Sequence, residues 1–362
     1  MRAAVLRNYR TPLELEEVVL APAGGGQVEV RIHACAICHS DLTFIDGGWE
    51  GILPAVYGHE AAGTVEMVGP GVTDLAPGDR VVITMVRSCG TCPCCVAGLY
   101  GSCEGDFALA NQSPLTTPAG ETVTHGLKTA AFAERVVVDR SQLVRVDDRI
   151  GFDAASLLAC GVITGFGAVS NTARMPVGAS AVVIGTGGVG LNCVQAARIR
   201  GANRIIAVDL SDERLDAAEA LGATDRVRAD GDVSAQVRAL TAGRGADYVF
   251  VAAGAPPAIN GAYELISRGG AVVLVGIPAT GVLSTYDPGT LADSSQRILG
   301  SKLGASDIQK DIPALIELYH SGDLMLDELI SARHPFEDIN AALGAARRGE
   351  GIRQVVLMEE GP

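Results

Sequence analysis

The sequence is poor in basic residues and lacks any cluster of them. Its 362 residues include 28 Lys and Arg but 42 Asp and Glu, which gives a formal net charge of −14. Because nucleic-acid binding draws most of its affinity from clustered Lys and Arg, this composition argues against a nucleic-acid partner. The sequence also contains no internal repeat and no low-complexity linker.

The sequence also lacks export and membrane signals. Its first residues, MRAAVLRNYRTPLELEE, reach acidic side chains before any apolar stretch long enough for a signal peptide. No run of about 18 apolar residues follows, so we expect a soluble cytoplasmic protein without a membrane partner. Because the cytoplasm keeps thiols reduced, nine cysteines indicate metal binding or catalysis rather than a disulfide framework.

The pattern along the chain predicts two domains, as the length also does. Short alternating runs such as 27–34 and 131–139, broken by turn signals, predict a β-rich first half. From residue 152 a helix is predicted to 173, and strands then alternate with helices up to about residue 300, which is typical of a doubly wound α/β domain. The strands are predicted at 180–185, 204–210, 246–254 and 270–278, and the helices at 190–200, 212–222 and 257–269. Helices at 311–324 and 336–349 follow, and a last strand at 351–359 could rejoin the first domain.

A glycine-rich turn follows the predicted strand 180–185. Gly185, Gly187 and Gly190 satisfy G-x-G-x-x-G, whose glycines permit a tight turn, close approach of the backbone to pyrophosphate, and close packing of helix on strand. Asp209 ends the next strand, nineteen residues beyond Gly190, where a carboxylate binds ribose hydroxyls and repels a 2′-phosphate. This favours NAD over NADP, although Arg214 could tolerate the phosphate. A purely structural glycine turn is the alternative.

Five cysteines lie within residues 88–103, in the sequence SCGTCPCCVAGLYGSC. Cys89, Cys92, Cys95 and Cys103 have spacing that suits tetrahedral zinc with no open coordination position, which is a structural site. An iron-sulfur cluster is the alternative that spacing alone permits. Cys94 is interpreted as a bystander thiol.

A second potential set of metal ligands is scattered. Cys38, His59 and Cys160 could each be explained by packing alone. Together, two thiolates and one imidazole would leave the fourth position of zinc open, which is the catalytic arrangement. Glu60 directly follows the histidine of this set.

These motifs together resemble the zinc-dependent alcohol dehydrogenases of the medium-chain dehydrogenase/reductase superfamily. The matching motifs, in chain order, are CHSDLT, GHEAAGTVEMVGPGV, GDRVV, the four-cysteine segment, CGVITGFGAV, GTGGVG and VD. The resemblance implies an α/β protein with a GroES-like β-rich catalytic domain, formed by residues 1–161 and a C-terminal return at 302–362. A Rossmann coenzyme domain, a doubly wound parallel sheet, would span residues 162–301.

The resemblance also implies roles for individual residues. Cys38, His59 and Cys160 would bind the catalytic zinc, with Glu60 able to approach the metal. Asp41 would orient the histidine, and Ser40 would take the proton of the alcohol. The residues implied to contact the cofactor, besides the three glycines, Asp209 and Arg214, are His39, Thr164, Gly188, Val189, Ile277 and Arg353. Trp49 and Met85 would line the substrate pocket, although a packing role is an equal alternative for the tryptophan.

The implied activity is hydride transfer between a primary alcohol and NAD, with allylic and aromatic alcohols among the candidate substrates and two zinc ions per subunit. Thr43 stands where many relatives have a histidine that finishes the proton relay, so we expect the path to end in water. The loop from Glu104 to Leu127 resembles that of dimeric relatives and of thiol-dependent formaldehyde dehydrogenases, which leaves the latter activity as an alternative. A homodimer is therefore expected, with a homotetramer as the alternative. For the function, a non-catalytic NAD- and zinc-binding scaffold is the remote alternative.

Overall fold

The computed structural model describes residues 1–358 and divides the chain into two compact units. Unit 1 comprises residues 1–160, 307–321 and the chain from 326 onward, and unit 2 comprises residues 161–306 and 322–325. The boundaries that the sequence predicts, after residues 161 and 301, lie one and five residues from the first two of these divisions. Residues 359–362, which end the predicted C-terminal return and include the last residue of the predicted strand 351–359, lie outside the described part.

Unit 1 contains two sheets. Six strands form the first, in the spatial order Glu14–Glu17, Arg2–Leu6, Ala55–Val56, Thr122–His125, Leu115–Thr116 and Val19–Leu20. Seven strands form the second, with six in the order Leu143–Arg145, Arg80–Ile83, Glu60–Val68, Gln27–Ala36, Arg353–Leu357 and Ile330–Pro335, while Arg135–Asp139 pairs with Gln27–Ala36. The last predicted strand thus rejoins the first domain, since Val355 lies opposite Ala36.

Short helices and one continuous core complete unit 1. Its α-helices are His39–Ile45, Pro93–Val96, Ala108–Asn111, Phe152–Leu157, Ile308–His320 and Ile339–Arg348. Its 3-10 turns are Tyr100–Ser102, Gly126–Lys128, Arg140–Gln142, Asp327–Leu329 and Phe336–Asp338. The core gathers side chains from both sheets and from the C-terminal helix, and it also includes the fully buried Phe132 and Phe336 from the segments between these elements.

Unit 2 is a six-stranded parallel sheet with helices between its strands. The spatial order is Asp225–Arg228, Arg204–Asp209, Ser180–Ile184, Ala246–Val251, Ile266–Leu274 and Arg297–Gly300. The four inner strands are apolar and largely buried, which is typical of a parallel sheet covered on both faces. Its α-helices are Ile163–Gly167, Gly188–Ile199, Asp212–Ala220, Val233–Leu240, Pro256–Ala262 and Pro288–Asp293, and a 3-10 turn spans Leu303–Ala305. In order along the sheet the strands are third, second, first, fourth, fifth and sixth in sequence, which is the Rossmann topology.

The helical segment Phe152–Thr172 confirms the helix predicted at 152–173 and has two internal irregularities. Wider π-type turns occur at Leu158–Val162 and Ala168–Thr172. By length and composition this segment is apolar enough to cross a membrane, although the sequence contains no uninterrupted apolar run there. Because 83% of its most apolar window is buried inside the protein, it has the character of a core helix.

One predicted element is wrong in its second half. The helix expected over 257–269 ends at Ala262, and the strand expected to begin at residue 270 already begins at Ile266. The strand starts with the buried Ile266 and Ser267, and the exposed Arg268 and Gly269 then interrupt its apolar run. Its early start lets Ile266 pair with Ala246 of the neighbouring strand across a register shift.

Candidate active site and coenzyme-binding turn

The four side chains Cys38, His59, Glu60 and Cys160 converge within unit 1. Cys38 caps the helix His39–Ile45, His59 and Glu60 stand at the start of the strand Glu60–Val68, and Cys160 lies in the π-type turn Leu158–Val162. All four are buried, and one potential ligand atom from each lies within 4.8 Å of those from the other three. The structure therefore brings together three segments that are far apart in the sequence.

Asp41 holds two of these segments in place. Its fully buried carboxylate accepts hydrogen bonds from the backbone N–H groups of Cys38, at 3.0 Å, and Gly58, at 3.0 Å. It also lies 3.1 Å from Nδ1 of His59. A carboxylate here fixes Nδ1 as the protonated nitrogen and leaves Nε2 as the ligand atom. Within the described residues, Nε2 is buried and has no hydrogen-bond partner, so the geometry fits a metal ion.

The Cys160 thiol and the His59 imidazole of the cluster hold protons that a metal ion would displace on binding. A hydrogen bond from the Cys160 thiol lowers the pKa of Cys38 well below its usual value, and the same bond together with burial raises the pKa of Cys160. Burial alone would lower the pKa of His59, but the negative charges of Asp41 and Cys38 raise it well above normal. Two thiols and an imidazole, with a carboxyl beside them, form the donor set of an open zinc site.

Glu60 forms a buried ion pair with Arg353, a residue 293 positions away in the chain. Burial raises the pKa of Glu60 to about 8, although the positive charge of Arg353 opposes this shift. Within the described chain, Glu60 Oε1 and Arg353 Nε are buried without a hydrogen-bond partner. Arg353, for which the resemblance implies a pyrophosphate contact, thus lies against the carboxylate beside the ligand cluster.

The residues predicted for the proton path and the substrate pocket lie close by in the chain. His39 is exposed and Ser40 half-buried at the start of their helix, and the Thr43 hydroxyl donates to the His39 carbonyl at 3.0 Å. Trp49 meets the Phe44 ring edge-on, with ring centroids 5.3 Å apart, so a packing contact is present. Met85 is half-buried just after the strand Arg80–Ile83.

The four predicted structural ligands form a second cluster in unit 1. The Sγ atoms of Cys89 and Cys95 lie 4.0 Å apart and those of Cys92 and Cys103 lie 3.8 Å apart. Tetrahedral zinc with bonds of about 2.3 Å requires sulfur atoms about 3.8 Å apart, so this spacing fits the ion. Backbone N–H groups, among them that of Cys92, lower the pKa of Cys89 to about 6. Cys94 is outside the cluster, as predicted.

Sequence reasoning missed Gly105, whose backbone packs directly against Cys89 of the four-cysteine cluster. A Cβ atom at this position would lie 2.6 Å from the Cβ of Cys89 and 2.9 Å from its Sγ. Only glycine permits so close an approach. A glycine two residues after the last cysteine was the available signal.

The glycine-rich turn in unit 2 has the geometry that a dinucleotide requires. Gly185 has φ +86°, a Cβ on Gly190 would lie 1.8 Å from the Gly185 carbonyl oxygen, and a Cβ on Gly187 would meet no atom within 4 Å. Gly185 is therefore required for the turn and Gly190 for the close packing. Gly187 leaves open space before the helix Gly188–Ile199. Asp209 ends its strand 8% exposed.

The remaining predicted cofactor residues of unit 2 are distributed around this turn and its sheet. Thr164 is buried in the helix Ile163–Gly167, which packs closely on the helix that Gly188 and Val189 begin. Arg214 lies in the first turn of the helix Asp212–Ala220. Ile277 follows the strand Ile266–Leu274 and is 60% exposed.

Comparison with known proteins gives consistent matches over the whole chain. Residues 24–148 match the family described as "Alcohol dehydrogenase GroES-like domain", and residues 188–321 match "Zinc-binding dehydrogenase". The chain is 34% identical to the NDMA-dependent alcohol dehydrogenase of Amycolatopsis methanolica, covering 98% of both chains. It is also 34% identical to the alcohol dehydrogenase class-3 of Cereibacter sphaeroides, covering 98% of this chain and 99% of the relative. The solved benzyl alcohol dehydrogenase of Acinetobacter calcoaceticus is similar with a TM-score of 0.93 and 29% identity, covering 99% of each chain.

Proposed function

Because the chain belongs to the zinc-dependent alcohol dehydrogenases of the medium-chain dehydrogenase/reductase superfamily, we propose that it interconverts primary alcohols and aldehydes with NAD as the hydride acceptor. The observation that carries the proposal is the convergence of Cys38, His59 and Cys160 with the Nε2 atom of His59 unpartnered among the described residues. A purely structural role would leave no reason for a buried imidazole nitrogen without a hydrogen bond.

The proposed reaction needs a Lewis acid, a proton acceptor and a hydride acceptor. When bound, zinc polarises the oxygen of the substrate and NAD takes up the hydride from its carbon. The alcohol loses one hydride and one proton, which yields an aldehyde, NADH and a released proton. Cys38, His59 and Cys160 would hold the metal, while Asp41 fixes the histidine tautomer through the bond to Nδ1.

Ser40 is the proposed proton relay, whose hydroxyl accepts the proton of the alcohol as it passes its own hydrogen to water. It stands two residues after Cys38 at the start of the same helix and is half-buried, so its hydroxyl can be near the reacting oxygen and also near water. The Thr43 hydroxyl already donates to the His39 carbonyl. A threonine cannot take over the proton as a histidine would, so the proton passes from Ser40 to solvent.

The proposed substrates are slim or aromatic primary alcohols, including allylic ones. Trp49, Phe44 and Tyr57 form a run of aromatic contacts, and Phe44 belongs to the helix that carries Ser40. A planar aromatic ring could stack on such a group. A similar solved structure is named a benzyl alcohol dehydrogenase, which supports this class of substrate.

A second candidate is a dehydrogenase that acts on the adduct of formaldehyde with a thiol. The segment from Glu104 to Leu127 supports it, because it is long enough to form the helix Ala108–Asn111 and two strands. The segment contains no Lys or Arg, so the thiol carrier would be neutral rather than a glutathione-like carboxylate.

The remaining parts of the proposal concern composition and assembly. Each subunit would bind two zinc ions, one in each of the two ligand clusters, and NAD rather than NADP. The protein would be cytoplasmic and would assemble as a homodimer, with a homotetramer as the alternative. The metal count is accessible by elemental analysis and the assembly by sedimentation.

The first test measures NADH formation by the zinc-loaded protein with aliphatic, allylic and benzylic primary alcohols. Formaldehyde is added with and without a neutral thiol, and a parallel series supplies NDMA as the electron acceptor because one relative carries that name. Turnover of free alcohols with NADH release supports the proposal. Activity only with formaldehyde plus thiol favours the second candidate. Turnover only with NDMA would contradict the proposal that NAD binds as a substrate and leaves as NADH.

Variants connect this activity to the proposed ligands. His59→Ala and Ser40→Ala are expected to abolish and strongly reduce turnover, respectively, while Cys94→Ser, a cysteine outside both clusters, should behave as the wild type. Normal turnover by His59→Ala would disprove the proposed metal site.

A further inference from the structure

The carboxylate of Asp209 is held by Thr186, the second residue of the glycine-rich turn. Asp209 Oδ2 accepts hydrogen bonds from the backbone N–H of Thr186 at 2.7 Å and from the Thr186 hydroxyl at 3.1 Å. Asp209 Oδ1 accepts a third bond, at 3.0 Å, from the backbone N–H of Ser211. Thr186 is fully buried, so its hydroxyl lies in a fixed environment and not in solvent.

These three bonds determine what the carboxylate can still do. An ionised carboxyl group offers about four acceptor positions, two on each oxygen. Oδ2 receives two bonds and Oδ1 receives one, so an acceptor position remains on Oδ1. The carboxylate is therefore held in one orientation, with its free acceptor position on the oxygen that Thr186 does not contact.

The charges around Asp209 make its orientation important for coenzyme choice. Arg228 lies directly opposite Asp209 on the neighbouring parallel strand. Its guanidinium is paired with Asp212 at 3.1 Å and with Asp230 at 2.6 Å, so two carboxylates already neutralise it. Apart from Arg214, in the first turn of the following helix, a 2′-phosphate would therefore meet mainly negative charge here, unless the carboxylate of Asp209 could rotate away.

We infer that Thr186 is a positioning residue for coenzyme selectivity. Its hydroxyl prevents the Asp209 carboxylate from turning away, so that Oδ1 accepts a hydroxyl of the adenosine ribose and the negative charge stays where a 2′-phosphate would lie. The inference rests on the proposed function only in assuming that this turn binds a nicotinamide dinucleotide. It assigns a role to a residue that the G-x-G-x-x-G pattern leaves unspecified.

The test is the ratio of the dissociation constants of NADPH and NADH, measured by calorimetric titration of the zinc-loaded enzyme. Thr186→Val removes the hydroxyl at nearly constant volume and keeps the backbone donor. The ratio is expected to fall about tenfold, the effect of one hydrogen bond to a charged acceptor. Thr186→Ser restores a hydroxyl and should keep the wild-type ratio, and Thr186→Ala is measured too in case the valine variant fails to fold.

A second pair of variants separates this inference from the coenzyme proposal. Asp209→Asn should lower the ratio by itself, and adding Thr186→Val to it should have no further effect. An unchanged ratio in Thr186→Val, when Asp209→Asn lowers it, overturns the role of Thr186 and leaves that of Asp209. Tighter NADH binding by Thr186→Val also overturns the inference, because the hydroxyl would then compete with ribose. An unchanged ratio in Asp209→Asn overturns both.

Discussion

Replacing Asp41 with Asn tests whether the scattered cluster binds metal in the way that its hydrogen bonds indicate. The carboxylate accepts from two backbone N–H groups and from His59. An amide of the same shape has one acceptor oxygen, so if it keeps the bonds made by Oδ1, its NH₂ group must face the N–H of Cys38. One buried donor then loses its partner, and the other bonds lose a charged acceptor.

The magnitude follows from these losses. A buried hydrogen bond to a charged group contributes about 1.5–3 kcal/mol, and about 2 kcal/mol of lost support corresponds to about a 30-fold weaker metal affinity. Changes to groups that orient metal ligands typically weaken metal binding by about 10- to 100-fold, which agrees with this estimate.

The assay is the zinc content of each chain after dialysis against graded concentrations of a chelator. In Asp41→Asn, one of the two proposed zinc ions should leave at a chelator concentration about 30-fold lower than in the wild type. The ion in the four-cysteine cluster serves as the internal reference. Asp139→Asn is the matched control, because Asp139 also accepts two local hydrogen bonds, both from Ser141, but has no contact with either ligand set. Unchanged zinc retention in Asp41→Asn, or simultaneous loss of both ions, would refute the reasoning.

Two further predictions concern the four-cysteine cluster and the half-buried His125. Gly105→Ala should destabilise the protein by about 1–3 kcal/mol and release the zinc proposed to bind Cys89, because the new Cβ would overlap that side chain. The control is Gly261→Ala, where a Cβ meets no atom within 4 Å and both ions should be retained. Equal zinc retention by the two variants would contradict this account. Burial and the charge of Arg87 lower the pKa of His125 to about 3, below its unfolded value of about 6.5. The contribution of His125 to the free energy of unfolding is therefore fully present above pH 6.5, and it falls by up to about 1.4 kcal/mol per pH unit as the pH decreases toward 3. Urea unfolding at pH 7.5 and 5.5 should show a smaller pH effect in His125→Asn than in the wild type, and an equal pH effect would refute the assignment.

The elements that the sequence predicts well are those with a strong local signal. The buried strand Ser180–Ile184 and the helix Gly188–Ile199 have uniform apolar runs or clear helical spacing around a glycine turn. The strand Asp225–Arg228 was missed because three of its four residues are charged and only Val227 is buried. The edge strand Arg297–Gly300 was missed for a similar reason, since none of its residues is buried.

The candidate site divides in the same way. Motifs in the chain identify Cys38, His59 and Cys160, but not how they are held. The contact between Glu60 and Arg353 joins residues 293 positions apart, and that between Thr186 and Asp209 joins residues 23 positions apart. Neither contact has a sequence period or spacing that would reveal it, because each depends on the order in which strands are arranged in a sheet.

The two ligand clusters differ in what must fold before a metal can bind. Cys89, Cys92, Cys95 and Cys103 lie within fifteen residues, and local backbone N–H groups stabilise their sulfur atoms. That cluster needs only its own loop, so metal binding and local folding are coupled there. The scattered cluster instead requires a strand, a helix and a π-type turn to be in place, and it presents ligands that the fold has already oriented. Its metal should therefore be removable without unfolding the protein.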